Sequence, residues 1–346
     1  SGRQVYNFNP GWRFFRGDVR GAEVVNFDDR SWNVVSTPHT VELMPAEGSG
    51  CRNYQGPAWY RKHFVLPAET KGQRVVLHFE AAMGKQILYL NGKRIQEHLG
   101  GYLPFTLDLT ANGVQAGDSC LLAVFTDNSD DKSYPPGKRQ YTLDFAYHGG
   151  IYRDVWMIAK SPVAITDAID SQTVGGGGVF IHFDKISEKS AQVYVNTEVQ
   201  NDDARSESVT VETTLTDADG KVIKRSSGKL SLKPGEKKSI CQQMEVKNPT
   251  LWSPDTPYLY RVQSRIKKGN KSIDGGITRV GIRLAEFRGK DGFWLNGKPF
   301  GQLVGANRHQ DFAYVGNALP NSQQWRDAKR LRDAGCTIIR VAHYPQ

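Results

Sequence analysis

The chain has 346 residues, 38% hydrophobic and 10% aromatic, enough for packed cores and against wholesale disorder. Its net charge is +9, yet the basic residues are scattered; the densest runs, KPGEKK (233–238) and KKGNK (267–271), carry Pro or Gly like hairpin turns, which argues against a nucleic-acid face. Four distant cysteines (Cys51, Cys120, Cys241, Cys336) without a CxxC pair speak against structural zinc, and no stretch reaches the ~20 apolar residues of a membrane span.

Up to about residue 160 the pattern is short strands broken by turns. RVVLHFEAA (74–82) alternates, QILYLNGKRI (86–95) carries an Asn91-Gly92 hairpin turn, and IYRDVWMIA (151–159) is a third strand with aromatics. That spacing predicts a β-sandwich. After KSP (160–162) the strands become plainer. AQVYVNTEVQN (191–201), SVTVETTLTDADGKVIKR (208–225) and YLYRVQSRI (258–266) alternate as half-buried antiparallel strands do, and predict an immunoglobulin-like sandwich. The run Gly175–Gly178 reads as a flexible turn.

From about residue 285 the pattern changes again. PFGQLVGANRHQD (299–311) holds a short strand with polar residues at its end. PNSQQWRDAKRLRDAG (320–335) predicts a helix: Asn321 and Gln324 suit a capping box, Trp325, Ala328 and Leu331 form a stripe, and Gly335 closes it. Asp327 and Asp333 are expected to face solvent, and Cys336 to be a core thiol. Thr337, Ile338, Ile339 and Val341 then predict a buried parallel strand, completing a β-α-β unit. Arg340 and His343 fall at its C-terminal end, where α/β folds place ligands.

These segments together resemble the glycoside hydrolases of family 2, which include β-galactosidases and β-glucuronidases. AWYRKHFVLP (58–67), YLNGKRIQEHLGGYLPFTLDLT (89–110) and HGGIYRDVWM (148–157) look like the family's jelly roll. NPTLWSPDTPYLYRV (248–262) is similar to its immunoglobulin-like domain, while 292–311 and IIRVAHYPQ (338–346) look like the first two strands of its barrel. The implied architecture is mainly β. A jelly-roll β-sandwich spans 1–160, an immunoglobulin-like β-sandwich 161–284, and the first β-α-β unit of a truncated (β/α)8 TIM barrel 285–346. Trp59, Trp156, Trp252 and the GGYLPF segment (100–105) are expected to be scaffold.

The family's chemistry is retaining hydrolysis by two carboxylates, in this family glutamates on later barrel strands. A barrel takes roughly 250 residues, and no Glu follows Arg308 here. Neither catalytic glutamate is therefore expected in this chain, and the chain alone is expected to be inactive. NRHQD and HYPQ look closest to β-galactosidases, because glucuronidases more often show Lys at position 308 and Glu at position 310. The expectation is the N-terminal part of an exo-acting β-galactosidase that cleaves terminal β-galactosides of an oligosaccharide or polysaccharide. A β-glucuronidase of the same family, and a noncatalytic carbohydrate-binding or scaffold protein, are the alternatives.

Carried over residue by residue, the resemblance implies that Asp144, His309, His343 and Asn53 contact substrate. Without it, Asp144 is a loop carboxylate and the two histidines read equally as capping or core residues. Arg340 is expected to keep the nucleophile's carboxylate ionised, against a plain strand-end salt bridge. Asn307 and Arg308 would order the strand end, and Asp311 would touch substrate or the general acid, or cap a turn. The resemblance also gives Asp144 a monovalent cation. No cofactor is required by this chain; sodium or magnesium is expected only in the longer enzyme. The expected partner is a β-galactoside, with no nucleic acid, no membrane span and a homo-oligomer left open. A periplasmic or secreted setting is expected, the cytoplasm being the alternative, and the abrupt start at SGRQ is compatible with a removed leader.

Overall fold

The computed structural model describes residues 2–44 and 52–343; Cys51 and the YPQ of the last motif (344–346) lie outside the described residues. Among the described residues ten strands come first: β1 (Gln4–Asn7), β2 (Trp12–Arg16), β3 (Asn33–Val35), β4 (Pro57–Val65), β5 (Arg74–Phe79), β6 (Lys85–Leu90), β7 (Lys93–Leu99), β8 (Phe105–Asp108), β9 (Ser119–Asp127) and β10 (Val155–Lys160). They form two sheets, in the orders β1-β10-β5-β8 and β3-β2-β4-β9-β6-β7. This is the jelly-roll sandwich. β9 lies between β4 and β6, and its residues 120–124 are all buried. Trp12, Tyr60, Phe79 and Phe105 fill the space between the sheets, with Phe79 and Phe105 stacked at 4.7 Å. Asn91 and Gly92 join β6 to β7 with φ of 51° and 81°, the pair of positive angles that a type I′ turn requires.

The next eight strands are β11 (Val163–Ile165), β12 (Val179–Asp184), β13 (Ser190–Asn201), β14 (Glu207–Thr216), β15 (Val222–Leu232), β16 (Lys237–Lys247), β17 (Tyr260–Lys268) and β18 (Lys271–Val280). One sheet runs β11-β13-β12 with β16 also paired to β13; the other runs β15-β14-β17-β18. Val193, Val195, Leu215, Met244 and Val262 make the core of this immunoglobulin-like sandwich. KKGNK is the hairpin turn expected, between β17 and β18. KPGEKK is not: β15 pairs with β14 and β16 with β13, so the turn carries the chain from one sheet to the other. β19 (Ala285–Phe287), β20 (Phe293–Leu295) and β21 (Lys298–Pro299) form a small sheet.

The last elements are β22 (Gly305–Arg308), the helix α1 (Asn321–Asp333) and β23 (Ile338–Val341), with β22 and β23 parallel as in the start of a barrel. Gly305 is needed there, because a Cβ would lie 1.8 Å from the Ile338 carbonyl oxygen. The chain groups into two compact units, Ser1–Gln4 with Ala159–Val304 and Val5–Ile158 with Gly305–Gln346. The β-α-β segment therefore belongs with the jelly roll, while residues 285–304 group with the second sandwich. None of the helices among the described residues is long and apolar enough to cross a membrane.

Helix α1 ends as its sequence predicts. Gly335 has φ of 88°, its N–H donates to the Arg332 carbonyl and the Cys336 N–H to the Leu331 carbonyl, a Schellman motif. Its start differs. The capping residue is Pro320 without a side-chain cap, and Asn321 instead donates its amide to Asp154 Oδ2 at 3.1 Å. The apolar stripe is not covered: no residue of α1 is buried and Trp325 is 68% exposed. β23 is likewise exposed throughout, since β22 is its only partner strand among the described residues and no layer packs on it. Cys336 is half-buried, not a core thiol. Asp327 is not solvent-facing either; it accepts from Arg308 at 2.6 Å and from Gln323 at 2.9 Å.

Candidate functional site

Parallel pairing sets Asn307 beside Arg340 and Arg308 beside Val341. One further backbone bond, from the Ala342 N–H to the Arg308 carbonyl at 3.2 Å, carries the pairing past the strand ends. His309 and His343 emerge there side by side, with ring centroids 5.0 Å apart and planes at 84°. Arg340 reaches Asn307 Oδ1 at 3.4 Å. Arg308 is turned toward α1 by Asp327, so it ties strand to helix.

The third side chain comes from the jelly roll. Residues 138–148 form a loop organised around the buried Gln140, whose N–H donates to Asp130 Oδ1 and whose Oε1 accepts from the Tyr147 N–H. Tyr147 OH donates to the Lys138 carbonyl, and Asn128 and Asn53 both donate their amides to the Tyr147 carbonyl. Phe145 is drawn inward with Ala81, Met83, Tyr102, Tyr147, Tyr152 and Ala318 of the barrel segment. With Phe145 fixed inside, its neighbour Asp144 is left outside, 76% exposed.

Asp144 Oδ2 lies 3.6 Å from His343 Nε2, and one ligand atom each from Asp144, His309 and His343 falls within 4.8 Å of the others. The Phe145 ring lies 5.7 Å from the His343 ring and 6.2 Å from the His309 ring. The arrangement combines a carboxylate acceptor with two imidazoles, each able to donate and accept, beside an aromatic ring. Such a set suits vicinal hydroxyl groups. The 3.6 Å separation is longer than a hydrogen bond and leaves room for a bridging atom.

Asn53 is placed differently from the expectation. Its amide serves the Tyr54 and Tyr147 carbonyls, so it braces the loop that carries Asp144; its Oδ1 is buried without a partner among the described residues. Asp311 is half-buried and lies near His148, not in the cluster of Asp144 and the histidines. Burial lowers the His148 pKa below its ordinary value, and the Asp311 charge partly offsets this.

Several residues that build the site escape a reading of the sequence. Arg153 donates to the carbonyls of Asn317 and Leu319 and to Gln310 Oε1, joining the jelly roll to the barrel segment. Gly316 touches His148 so closely that a Cβ would lie 2.5 Å from the imidazole. A cavity of about 250 Å³ is lined on this seam by Glu80, Arg153, Arg308, Gln310, Asn321 and Gln324. The HGG and YRD segments were visible as family motifs, but nothing in their spacing says that they grip another part of the chain. The same seam bears on positions 308 and 310. Their side chains face Asp327 and Arg153, so here they are tied to protein, not to the Asp144 cluster.

Three family profiles match in chain order: Glycosyl hydrolases family 2, sugar binding domain, over residues 24–162; Glycosyl hydrolases family 2 over 177–283; and Glycosyl hydrolases family 2, TIM barrel domain, over 287–346. A β-galactosidase of Thermoanaerobacter pseudethanolicus is 34% identical over all of this chain and 44% of its own length. A β-glucuronidase of Formosa agariphila is 33% identical over 99% of this chain and 36% of its own. The crystal structure of a Bacteroides uniformis β-glucuronidase superposes with a TM-score of 0.88 at 32% identity, over 99% of this chain and 40% of that one. The chain thus spans about two fifths of the length of these relatives.

Proposed function

From the premise that this chain belongs to glycosyl hydrolase family 2, we propose that it is the sugar-gripping N-terminal portion of a retaining exo-β-galactosidase. The observation that carries this reading is the meeting of Asp144, from the jelly roll, with His309 and His343 at the ends of two parallel strands. A terminal galactosyl unit has several adjacent hydroxyls and no fixed charge, and this set offers paired acceptors and donors. Arg340, held at the neighbouring strand position, would favour an ionised carboxylate on an adjoining strand.

Binding and cleavage are separable. Retaining hydrolysis needs two carboxyl groups about 5–5.5 Å apart. After Arg308 the chain supplies Asp311, Asp327 and Asp333, of which Asp327 is bound to Arg308 and Asp333 to Lys329 at 2.6 Å. The 346-residue chain should therefore bind sugar weakly and turn over none. The test is titration with galactose and with glucuronate, followed by the imidazole NMR resonances of His309 and His343. Galactose should shift both, Asp144→Ala should weaken the response roughly 10- to 100-fold, and a chromogenic β-galactoside should stay intact. Unmoved resonances, or turnover by this chain, would sink the reading.

A second reading, β-glucuronidase, is favoured by the named relatives and solved structures with that activity. A larger histidine response to glucuronate than to galactose would select it. The tie between Gln310 and Arg153 makes position 310 a poor guide to the choice.

A further inference from the structure

We infer that Asp144, His309 and His343 also form a binding site for a borderline transition dication such as zinc, cobalt(II) or nickel. One ligand atom from each of the three lies within 4.8 Å of the others, and the pair Asp144 Oδ2–His343 Nε2 is 3.6 Å apart. Two ligand atoms on a tetrahedral zinc at 2.0–2.1 Å sit about 3.3 Å from one another. One edge of the site is therefore nearly at coordination distance. The other separations, all within 4.8 Å, close by rotation of the side chains, Asp144 being 76% exposed on its loop.

The donor set decides the metal. Two imidazole nitrogens and one carboxylate suit zinc, cobalt and nickel, whereas sodium, magnesium and calcium prefer oxygen ligands alone. The histidine rings are also held in place. Each follows a strand of the parallel pair, they meet at 84°, and Phe145 packs near both. Three protein ligands leave a fourth position for water, so the ion would be exchangeable and accessible. No bond in substrate is made or broken by this binding. On the reading that these side chains also grip sugar, a bound dication and a sugar would exclude each other, and metal would act as an inhibitor.

The test needs only this chain and metal salts. Zinc chloride titrated by calorimetry should show one saturable site, and cobalt(II) should give visible absorption bands of a low-coordinate nitrogen–oxygen site. His343→Ala and His309→Gln should each weaken zinc at least about 10-fold, with the far-UV circular dichroism unchanged. His182→Ala, on the other sandwich, should leave binding intact. Absence of saturable zinc binding, or a site that survives both cluster substitutions, would overturn the assignment. Galactose competition is read separately: its failure would count against the sugar reading and leave the metal site standing.

Discussion

Strands β9 and β23 are both apolar runs, yet they end in opposite environments. β9 has a neighbour on each edge and a second sheet against it, so residues 120–124 are buried. Among the described residues β23 has one partner, β22, and Ile338, Ile339 and Val341 are 43%, 37% and 60% exposed. Composition specifies that a strand forms; the layers around it decide what the side chains contribute. The same contrast runs inside the barrel segment. Gly316, Asn317, Ala318 and Leu319, which meet the jelly roll, are buried, while α1 has no buried residue.

The comparison is sharpened by substitutions of graded effect. Arg61 is fully buried, paired with Asp29 at 2.8 Å and bonded to the Ala22 and Val24 carbonyls. Arg61→Ala should lower unfolding free energy by about 3–5 kcal/mol, because it removes the buried partner of the Asp29 carboxylate and leaves it only the exposed His63, at 2.8 Å; a shift in urea midpoint equivalent to under about 1 kcal/mol would mean that the sandwich repacks freely. Leu122→Ala in β9 should cost about 2–5 kcal/mol, read in the same denaturation series.

Acid provides the next step down. The His39 pKa is lowered to about 4 by burial, and its Nδ1 lies 2.8 Å from Tyr60 OH. The unfolded imidazole titrates near ~6.5, so between these values the unfolded state binds the extra proton. Stability from this group is whole above the unfolded value and falls as pH drops toward 4, by on the order of 2 kcal/mol after allowing for partial exposure. Thermal melts from pH 7 to 4 should show this loss, and His39→Gln should flatten it. The smallest effect belongs to β23: Ile339→Ala should cost less than about 1 kcal/mol. A loss as large as that of Leu122→Ala would break the comparison.

Much of the fold was legible because it rests on local chemistry. The Asn91-Gly92 turn and the Gly335 helix stop follow from backbone angles that few other residues accept. The alternation of β13 and β17 reports one buried face. What failed was decided by partners far along the chain. Asn321 does not cap its helix because Asp154, 167 positions earlier, takes its amide. KPGEKK does not close a hairpin because β16 pairs with β13. Of the site, the family resemblance brought Asp144, His309 and His343 together. It could not show that Asn53 would brace a loop, or that Phe145 and Arg153 would hold the two parts in register.

The loop around Gln140 has a consequence for how such a pocket can change. Besides the Tyr147–Lys138 bond within the loop, its bonds run to Asp130, Asn53 and Asn128 of the first sandwich, so the carboxylate it presents is positioned by a part of the chain separate from the strands bearing the imidazoles. On the reading that these side chains grip sugar, substitutions within the loop would move the Asp144 carboxylate while leaving the two strands that carry the imidazoles as they are. The carboxylate is set by bonds within and beneath its loop, the imidazoles by the pairing of two strands.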